Sequence, residues 1–138
     1  MILKIAFILI FKKNGKPNWT NIEGNFKLKE IRPSVRKWQS SNLLDRRASI
    51  VLTRLRIGHT HLTHKFLLES GEGRQIPQCV VCRTALTVKH ILVECTDFME
   101  ERRASSLQGQ SIGDILGDES DIFNVIDFLK KIGLFYKI

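Results

Sequence analysis

Four side chains that bind metal ions fall within one short segment, in the pattern C-x2-C-x7-H-x4-C: Cys79, Cys82, His90 and Cys95. Zinc takes four nitrogen or sulfur donors in a tetrahedron, and thiolates and imidazole are common ligands. Because the protein would fill all four positions, none stays open for a catalytic water, and we predict a structural zinc site. An iron–sulfur cluster more often uses four cysteines. Three buried thiols beside an unrelated histidine are the alternative without a metal.

The backbone has to bring these ligands to one point. Cys79 and Cys82 are close enough to hold one ion from a tight turn, and the residues that follow can fold back to deliver His90. His90 and Cys95 are five positions apart, so an ideal α-helix would point them about 140° away from each other. We therefore expect the backbone to turn or to tighten between them.

The chain is basic, and its charge is uneven. The formal net charge is +8. Residues 1–66 hold 14 Lys and Arg against 3 Asp and Glu, whereas residues 67–138 hold 8 against 11. A basic half suggests a polyanionic partner, most commonly RNA or DNA, although basic surfaces also occur without one. An odd number of cysteines favours an intracellular setting, nucleus or cytoplasm, over a secreted disulfide scaffold.

Basic side chains before, within and just after a helix predicted over residues 42–57 are candidates for contacts with phosphate groups. The planar guanidinium of arginine donates two parallel hydrogen bonds, which suits phosphate. A solvated helix face without a ligand is the alternative. The predicted nucleic-acid-binding residues are Arg36, Lys37, Arg46, Arg47, Arg54, Arg56 and His59.

Three histidines, His59, His61 and His64, lie close together after this helix. A second metal site is one interpretation, but no fourth ligand lies nearby in the sequence. Polar capping and packing at a helix junction is the interpretation we favour. A hydrolase would need a nucleophile, and no motif such as G-x-S-x-G is present.

The clearest helix is predicted over residues 42–57. Ser41 or Asn42 can cap its N-terminus, Asp45 lies in the first turn, where the helix dipole favours an acid, and Gly58 ends it. Further helices are predicted for residues 60–70 with Thr60 as N-cap, for residues 96–107 with Thr96 as N-cap, and for "SIGDIL". Another is predicted for "ESDIFNVIDFLKKIGLF", with Ile122, Val125, Ile126 and Leu129 on one apolar face.

The predicted fold is mainly α: a small helical module held together by one structural zinc site, with an irregular or single-strand N-terminal arm. We predict that residues 1–16 form an apolar arm and basic linker, residues 17–40 a basic connecting segment, and residues 41–138 the helical module with a zinc-binding turn at 79–95. The apolar run 1–11 is too short to span a bilayer, and no small-residue cleavage pattern follows it, so we expect neither a membrane span nor a signal peptide.

An ordered set of segments resembles the C-terminal tail of arthropod non-LTR retrotransposon polyproteins. The segments are "VLTRLRIGHTHLTHKFLL", "CVVCRTALTVKHILVEC", "DFMEERR", "SIGDILGD" and "FLKKIGLFYKI", and "NWTNIEGNFKLKEIRPSVRKW" resembles the piece that joins ribonuclease H to this tail. The resemblance covers residues 17–138. It implies a tail after a reverse transcriptase and often a ribonuclease H domain, with a Cys-Cys-His-Cys cluster that falls on the four predicted ligands. The cluster is similar in ligand order to retroviral nucleocapsid knuckles, without their glycine and aromatic positions.

The predicted function is therefore a non-catalytic, nucleic-acid-binding tail or remnant of a retrotransposon reverse transcriptase polyprotein. The paired-aspartate motif of the polymerase is absent, and only Glu23 and Glu30 are acidic before residue 42, too few for the two-metal site of ribonuclease H. The alternative is a protein-interaction module that docks on a polymerase or ribonuclease H domain. A nuclease is the third hypothesis.

Overall fold

A computed structural model describes residues 27–32, 44–68, 75–107, 111–117 and 122–138. In these ranges the chain is helical, and the only β-type pairing is an isolated antiparallel bridge between Gln78 and Ala85. The prediction of a mainly α fold is confirmed. The predicted N-terminal arm, together with Arg36 and Lys37, lies outside the described residues. None of the described helices is long and apolar enough to cross a membrane.

Six α-helices and one π-helix make up the described part of the chain. A 3-10 turn, Lys65–Leu67, follows the third α-helix, and the π-helix, His90–Glu94, precedes the fourth. The α-helices are α1 Lys27–Ile31, α2 Arg46–Ile57, α3 His61–His64, α4 Met99–Ala104, α5 Ile112–Leu116 and α6 Ile122–Lys131.

Helix α2 ends where the sequence predicts but begins later. Its N-cap is Asp45, whose carboxylate accepts a hydrogen bond from the backbone N–H of Ala48 at 2.8 Å. The prediction of Asn42 or Ser41 as the cap is therefore wrong. A carboxylate satisfies a free N–H as well as those side chains do, and it also interacts favourably with the helix dipole. Gly58 ends the helix with φ 77°, a left-handed conformation that glycine adopts without a steric penalty.

The next two predicted caps have different outcomes. Thr60 caps α3 in a reciprocal pair with Thr63, as predicted. Thr96 does not cap α4, which begins only at Met99. The Thr96 hydroxyl lies instead 3.4 Å from the Cys82 sulfur. Thr96 therefore contacts one of the predicted metal ligands and does not cap the helix.

Short helix α5 is the centre of the packing, since it contacts α1, α2, α6 and the π-helix. Its Leu116 is fully buried. The predicted apolar face of α6 is buried as expected, and Phe128 joins it. The most deeply buried side chains come from α2, the π-helix, α5, α6 and the C-terminal segment: Val51, Leu55, Ile91, Leu92, Leu116, Val125, Phe128, Leu129 and Ile138.

Arg56 belongs to this core, which makes its prediction as a phosphate-contacting residue wrong. It is 6% exposed, and its guanidinium donates to the backbone carbonyls of Leu116, at 2.9 Å, and Gly117, at 3.5 Å. These carbonyls lie at the C-terminal end of α5, where the helix leaves its last acceptors without partners. Arg56 thus joins α2 to α5.

Replacing Arg56 with alanine should lower the free energy of unfolding by about 2–3 kcal/mol, because buried carbonyls lose a charged donor. Arg46 is an exposed arginine of the same helix, and its replacement with alanine should change that free energy by less than about 0.5 kcal/mol. Urea denaturation of both variants measures the difference. Equal effects of the two substitutions would contradict the structural role of Arg56.

Candidate metal centre and basic groove

The first two predicted ligands lie on a tight hairpin turn. The backbone N–H of Cys79 donates to the Thr84 carbonyl, and that of Arg83 donates to the Cys79 carbonyl, both at 2.9 Å. Arg83 has φ 57°, a left-handed conformation that non-glycine residues rarely adopt and that reverses the chain directly after Cys82. The N–H of Cys82 points at the Cys79 sulfur, 3.5 Å away. The turn therefore brings both sulfurs to its inner side.

The π-helix delivers the other two ligands. Its first turn is held by Thr87, whose hydroxyl accepts from the His90 N–H at 3.0 Å. The N–H of Cys95 then donates to the His90 carbonyl at 2.7 Å, a bond across five residues. A π-turn contains one residue more than an α-turn, so positions five apart lie on the same side. The backbone therefore departs from α-helical geometry between His90 and Cys95, as expected, but it widens there and does not tighten.

The four side chains converge on one point. The Cys95 sulfur lies 3.7 Å from that of Cys79 and 3.8 Å from that of Cys82. All four donor atoms, including the His90 nitrogen, lie within 4.8 Å of one another. All three cysteines are free, and a disulfide bond would need a sulfur–sulfur distance of about 2.05 Å. These four residues can therefore hold a metal ion.

The imidazole of His90 shows which nitrogen is available to a metal. The ring is buried, and its Nδ1 lies 3.3 Å from the Thr84 hydroxyl and 3.8 Å from a Glu94 carboxylate oxygen. Its Nε2 is also buried but has no hydrogen-bond partner among the described residues. Histidine ligands of metals commonly present one nitrogen to the ion while an oxygen acceptor holds the other. A metal at Nε2 would satisfy the buried polar atom.

The environments of Cys82 and Cys95 shift the pKa values of these two thiols in opposite directions. Hydrogen bonds from the side chain and backbone of Thr96 lower the pKa of Cys82 from 9.0 to about 7. Burial raises the pKa of Cys95 from 9.0 to about 11. Cys82 is therefore prepared for metal binding at neutral pH, whereas Cys95 must release a proton when the metal binds.

The sequence did not assign any residue other than the four ligands to this site. Arg102 on α4 donates to the Cys95 carbonyl at 2.6 Å, and so joins that helix to the metal centre. Glu94 and Thr96 flank Cys95, and Thr84 lies in the hairpin. The four-residue interval from His90 to Glu94 was a signal that could have identified Glu94, because side chains at that spacing share a helix face. Nothing in the local sequence indicates Arg102.

The predicted phosphate-contacting residues separate into distinct environments. Arg47, Arg54 and His59 line an open groove of about 720 Å³, which we call the basic groove. Arg46 is exposed outside the groove, whereas Arg56 is buried in the core. The basic groove also contains side chains that we did not predict as ligand contacts: His61, His64, Lys65, Tyr136 and Lys137. No acidic side chain of the described ranges lines it.

The histidines contribute to the basic groove and do not form a metal site with the residues that the structure describes. His59 and His64 stack, with ring centroids 4.0 Å apart and planes 14° from parallel. The Nδ1 of His64 lies 2.7 Å from the Thr63 hydroxyl. This packing beside the Thr60 cap agrees with the interpretation that we favoured.

Comparisons of the chain with protein-family models, with curated proteins and with solved structures give no match. The candidate metal centre and the basic groove are therefore the features that bear on the function.

Metal affinity should fall with decreasing pH throughout the neutral range, because Cys95 has to release a proton, and it should fall more steeply below about pH 7, where Cys82 also takes up a proton. Replacing Thr96 with valine removes the hydrogen bond that stabilises the Cys82 thiolate, so the onset of the steeper decline should move to higher pH. Titration against a chromophoric chelator between about pH 6 and pH 9 measures both effects. An affinity that does not change over this range, or an identical profile for both proteins, would contradict the assignment.

Proposed function

We propose that this chain is a zinc-stabilised module that binds nucleic acid through the basic groove and has no catalytic role of its own. It would act as the tail of a retrotransposon polyprotein, the family that its sequence resembles. The observation that carries the proposal is the composition of the groove. Four Lys and Arg side chains and three His line it, with no acidic side chain from the described residues.

The geometry of the sulfurs supports zinc as the metal. A zinc–sulfur bond of about 2.3 Å places two sulfurs of a tetrahedron about 3.8 Å apart. The separations from Cys95 are 3.7 Å to Cys79 and 3.8 Å to Cys82. Thiolates and imidazole also favour zinc over magnesium or calcium, which prefer oxygen donors. With three sulfurs and one nitrogen the coordination shell is complete, so the ion would stabilise the fold and leave no site for a reacting water.

The position of the cations supports phosphate binding. Arg54, Lys65 and Lys137 are exposed, so they can contact a ligand without first leaving the core. Arg47 is half-buried and holds the wall of the groove through the Phe135 carbonyl, at 3.1 Å. A cleft that collects one sign of charge attracts a polyanion more strongly than the same charges do when they are dispersed.

A docking function is the second candidate, favoured by a different surface. Val80 and Val81 at the tip of the cysteine turn are 87% and 55% exposed, and Ile76, in the segment that leads into the turn, is 58% exposed. Apolar side chains grouped at the surface often mark contacts between proteins. Such a contact with a polymerase or ribonuclease H domain would depend on the cysteine turn and not on the basic groove.

The purified chain should contain about one zinc ion, measured by elemental analysis, and Cys79→Ser should lose it. Chelation should unfold the region around residues 79–95, because structural zinc contributes on the order of 10–16 kcal/mol in small zinc-binding peptides. Val80→Ser is the matched control, since it places the same residue at an exposed position of the same turn. Zinc retained by Cys79→Ser would contradict the metal centre.

Nucleic-acid affinity should fall steeply with salt, with a log–log slope of about −0.7 to −0.9 for each phosphate contact. Arg54→Ala should reduce this slope by about one contact, whereas Arg46→Ala, on the same helix but outside the basic groove, should leave the slope unchanged. Fluorescence anisotropy at a series of salt concentrations measures the slopes. A slope near zero for the unmodified chain, or equal losses in both variants, would contradict the proposal.

A further inference from the structure

We infer that the basic groove takes single-stranded nucleic acid, and that one unpaired base stacks on the ring of Tyr136. The inference rests on the proposed function, that this groove binds nucleic acid, and it adds the class of ligand. Tyr136 is 81% exposed although it lies in the groove among cations. A large aromatic ring left in water beside phosphate-binding side chains is the arrangement that single-strand binding requires.

The exposure of Tyr136 is imposed by its neighbours in the chain. Phe135 and Ile138 are 4% and 1% exposed, and both enter the core. The segment between them forms one tight turn, in which the Leu134 carbonyl accepts from the N–H groups of Lys137 and Ile138 at 2.9 and 3.1 Å. With both ends of the turn buried, Tyr136 and Lys137 point to the solvent. The aromatic ring and the ammonium group are thus presented side by side.

Two arginines of α2 fix the position of this turn by hydrogen bonds to its backbone oxygens. Arg47 donates to the Phe135 carbonyl at 3.1 Å, and Arg54 donates to the backbone oxygen of Ile138. The guanidinium carbon of Arg47 also lies 5.9 Å from the Tyr136 ring centroid, within the range of a cation–π contact. The Phe135 ring meets the Tyr136 ring edge to face, with centroids 5.0 Å apart. The ring is therefore supported before a ligand arrives, which reduces the entropy that binding would cost.

The stacking surface distinguishes a single strand from a duplex. In a duplex both faces of each base are covered by neighbouring bases, whereas an unpaired base can leave the stack and lie on an aromatic side chain. Exposed Lys137, Lys65 and Arg54 are in the same groove and can contact the phosphates on either side of such a base. The stacked pair of His59 and His64 adds a second flat surface to the groove.

Binding of labelled single strands and duplexes to the full, metal-loaded chain tests the inference by fluorescence anisotropy. The probes are oligouridine and oligothymidine of about 12 nucleotides, together with a duplex of the same length. We expect the better single strand to bind at least about tenfold more tightly than the duplex. The RNA and DNA probes show which sugar the groove prefers, and a preference for either supports the inference.

Substitutions at Tyr136 test the stacking itself. Tyr136→Ala should weaken single-strand binding by about 5-fold to 100-fold and leave the salt slope unchanged, because the ring carries no charge. Tyr136→Phe keeps the ring and should stay within about twofold of the unmodified chain. Phe123→Ala is the matched control, since Phe123 is 54% exposed but does not line the groove.

Several results would overturn the inference. These are equal affinity for single strands and duplexes, the same loss for Tyr136→Phe as for Tyr136→Ala, and unchanged affinity in Tyr136→Ala. In those cases salt-dependent binding whose slope is reduced in Arg54→Ala but not in Arg46→Ala would leave the proposed function in place. If no probe binds, the proposed function fails together with the inference.

Discussion

Three sulfurs and one imidazole have to meet at a single point, and the backbone of residues 77–95 takes the shape that this requires. An α-helix would point His90 and Cys95 in different directions. The π-turn closed by the Cys95 N–H and the His90 carbonyl removes this conflict by including one more residue. In the hairpin, the left-handed conformation of Arg83 reverses the chain directly after Cys82 and so helps to direct the cysteine sulfurs inward. Both conformations are uncommon, and both occur where the backbone must orient a side chain of the candidate metal site.

The metal centre and the hydrophobic core share one helix. Ile91 and Leu92 follow His90 directly, and both are fully buried. The π-helix contacts α5, and Arg102 of α4 bonds to the Cys95 carbonyl. A change in the position of the ligands therefore moves side chains in the core, and the packing of the core in turn fixes the ligands. Binding of a metal by these four residues would therefore be coupled to the packing of the core through this shared backbone.

Helix α2 uses its arginines for different tasks because helical geometry separates them. Arg47 and Arg54 are seven residues apart, about 20° short of two full turns, so they share a face and both reach the C-terminal segment. Arg56 is two residues after Arg54, about 200° around the helix, and faces the core. The same residue type thus builds the wall of the basic groove and joins α2 to α5. Net charge alone cannot separate these roles.

The sequence by itself determined the features that depend on interactions between residues close in the chain. The convergence of the four metal ligands, the ends of α2 and α3 at Gly58 and Thr60, and the buried face of α6 all follow from spacing and local hydrogen bonding. The spacing also indicates that Arg56 faces the core, since it lies four residues after buried Leu52 and therefore on the same face of the helix. Only the tertiary structure decided that Arg102 contacts the metal centre, and that Tyr136 and Lys137 share a groove with Arg54, more than eighty residues earlier. Such contacts depend on which helix faces pack together, and that is fixed by burial of the whole core and not by any one segment.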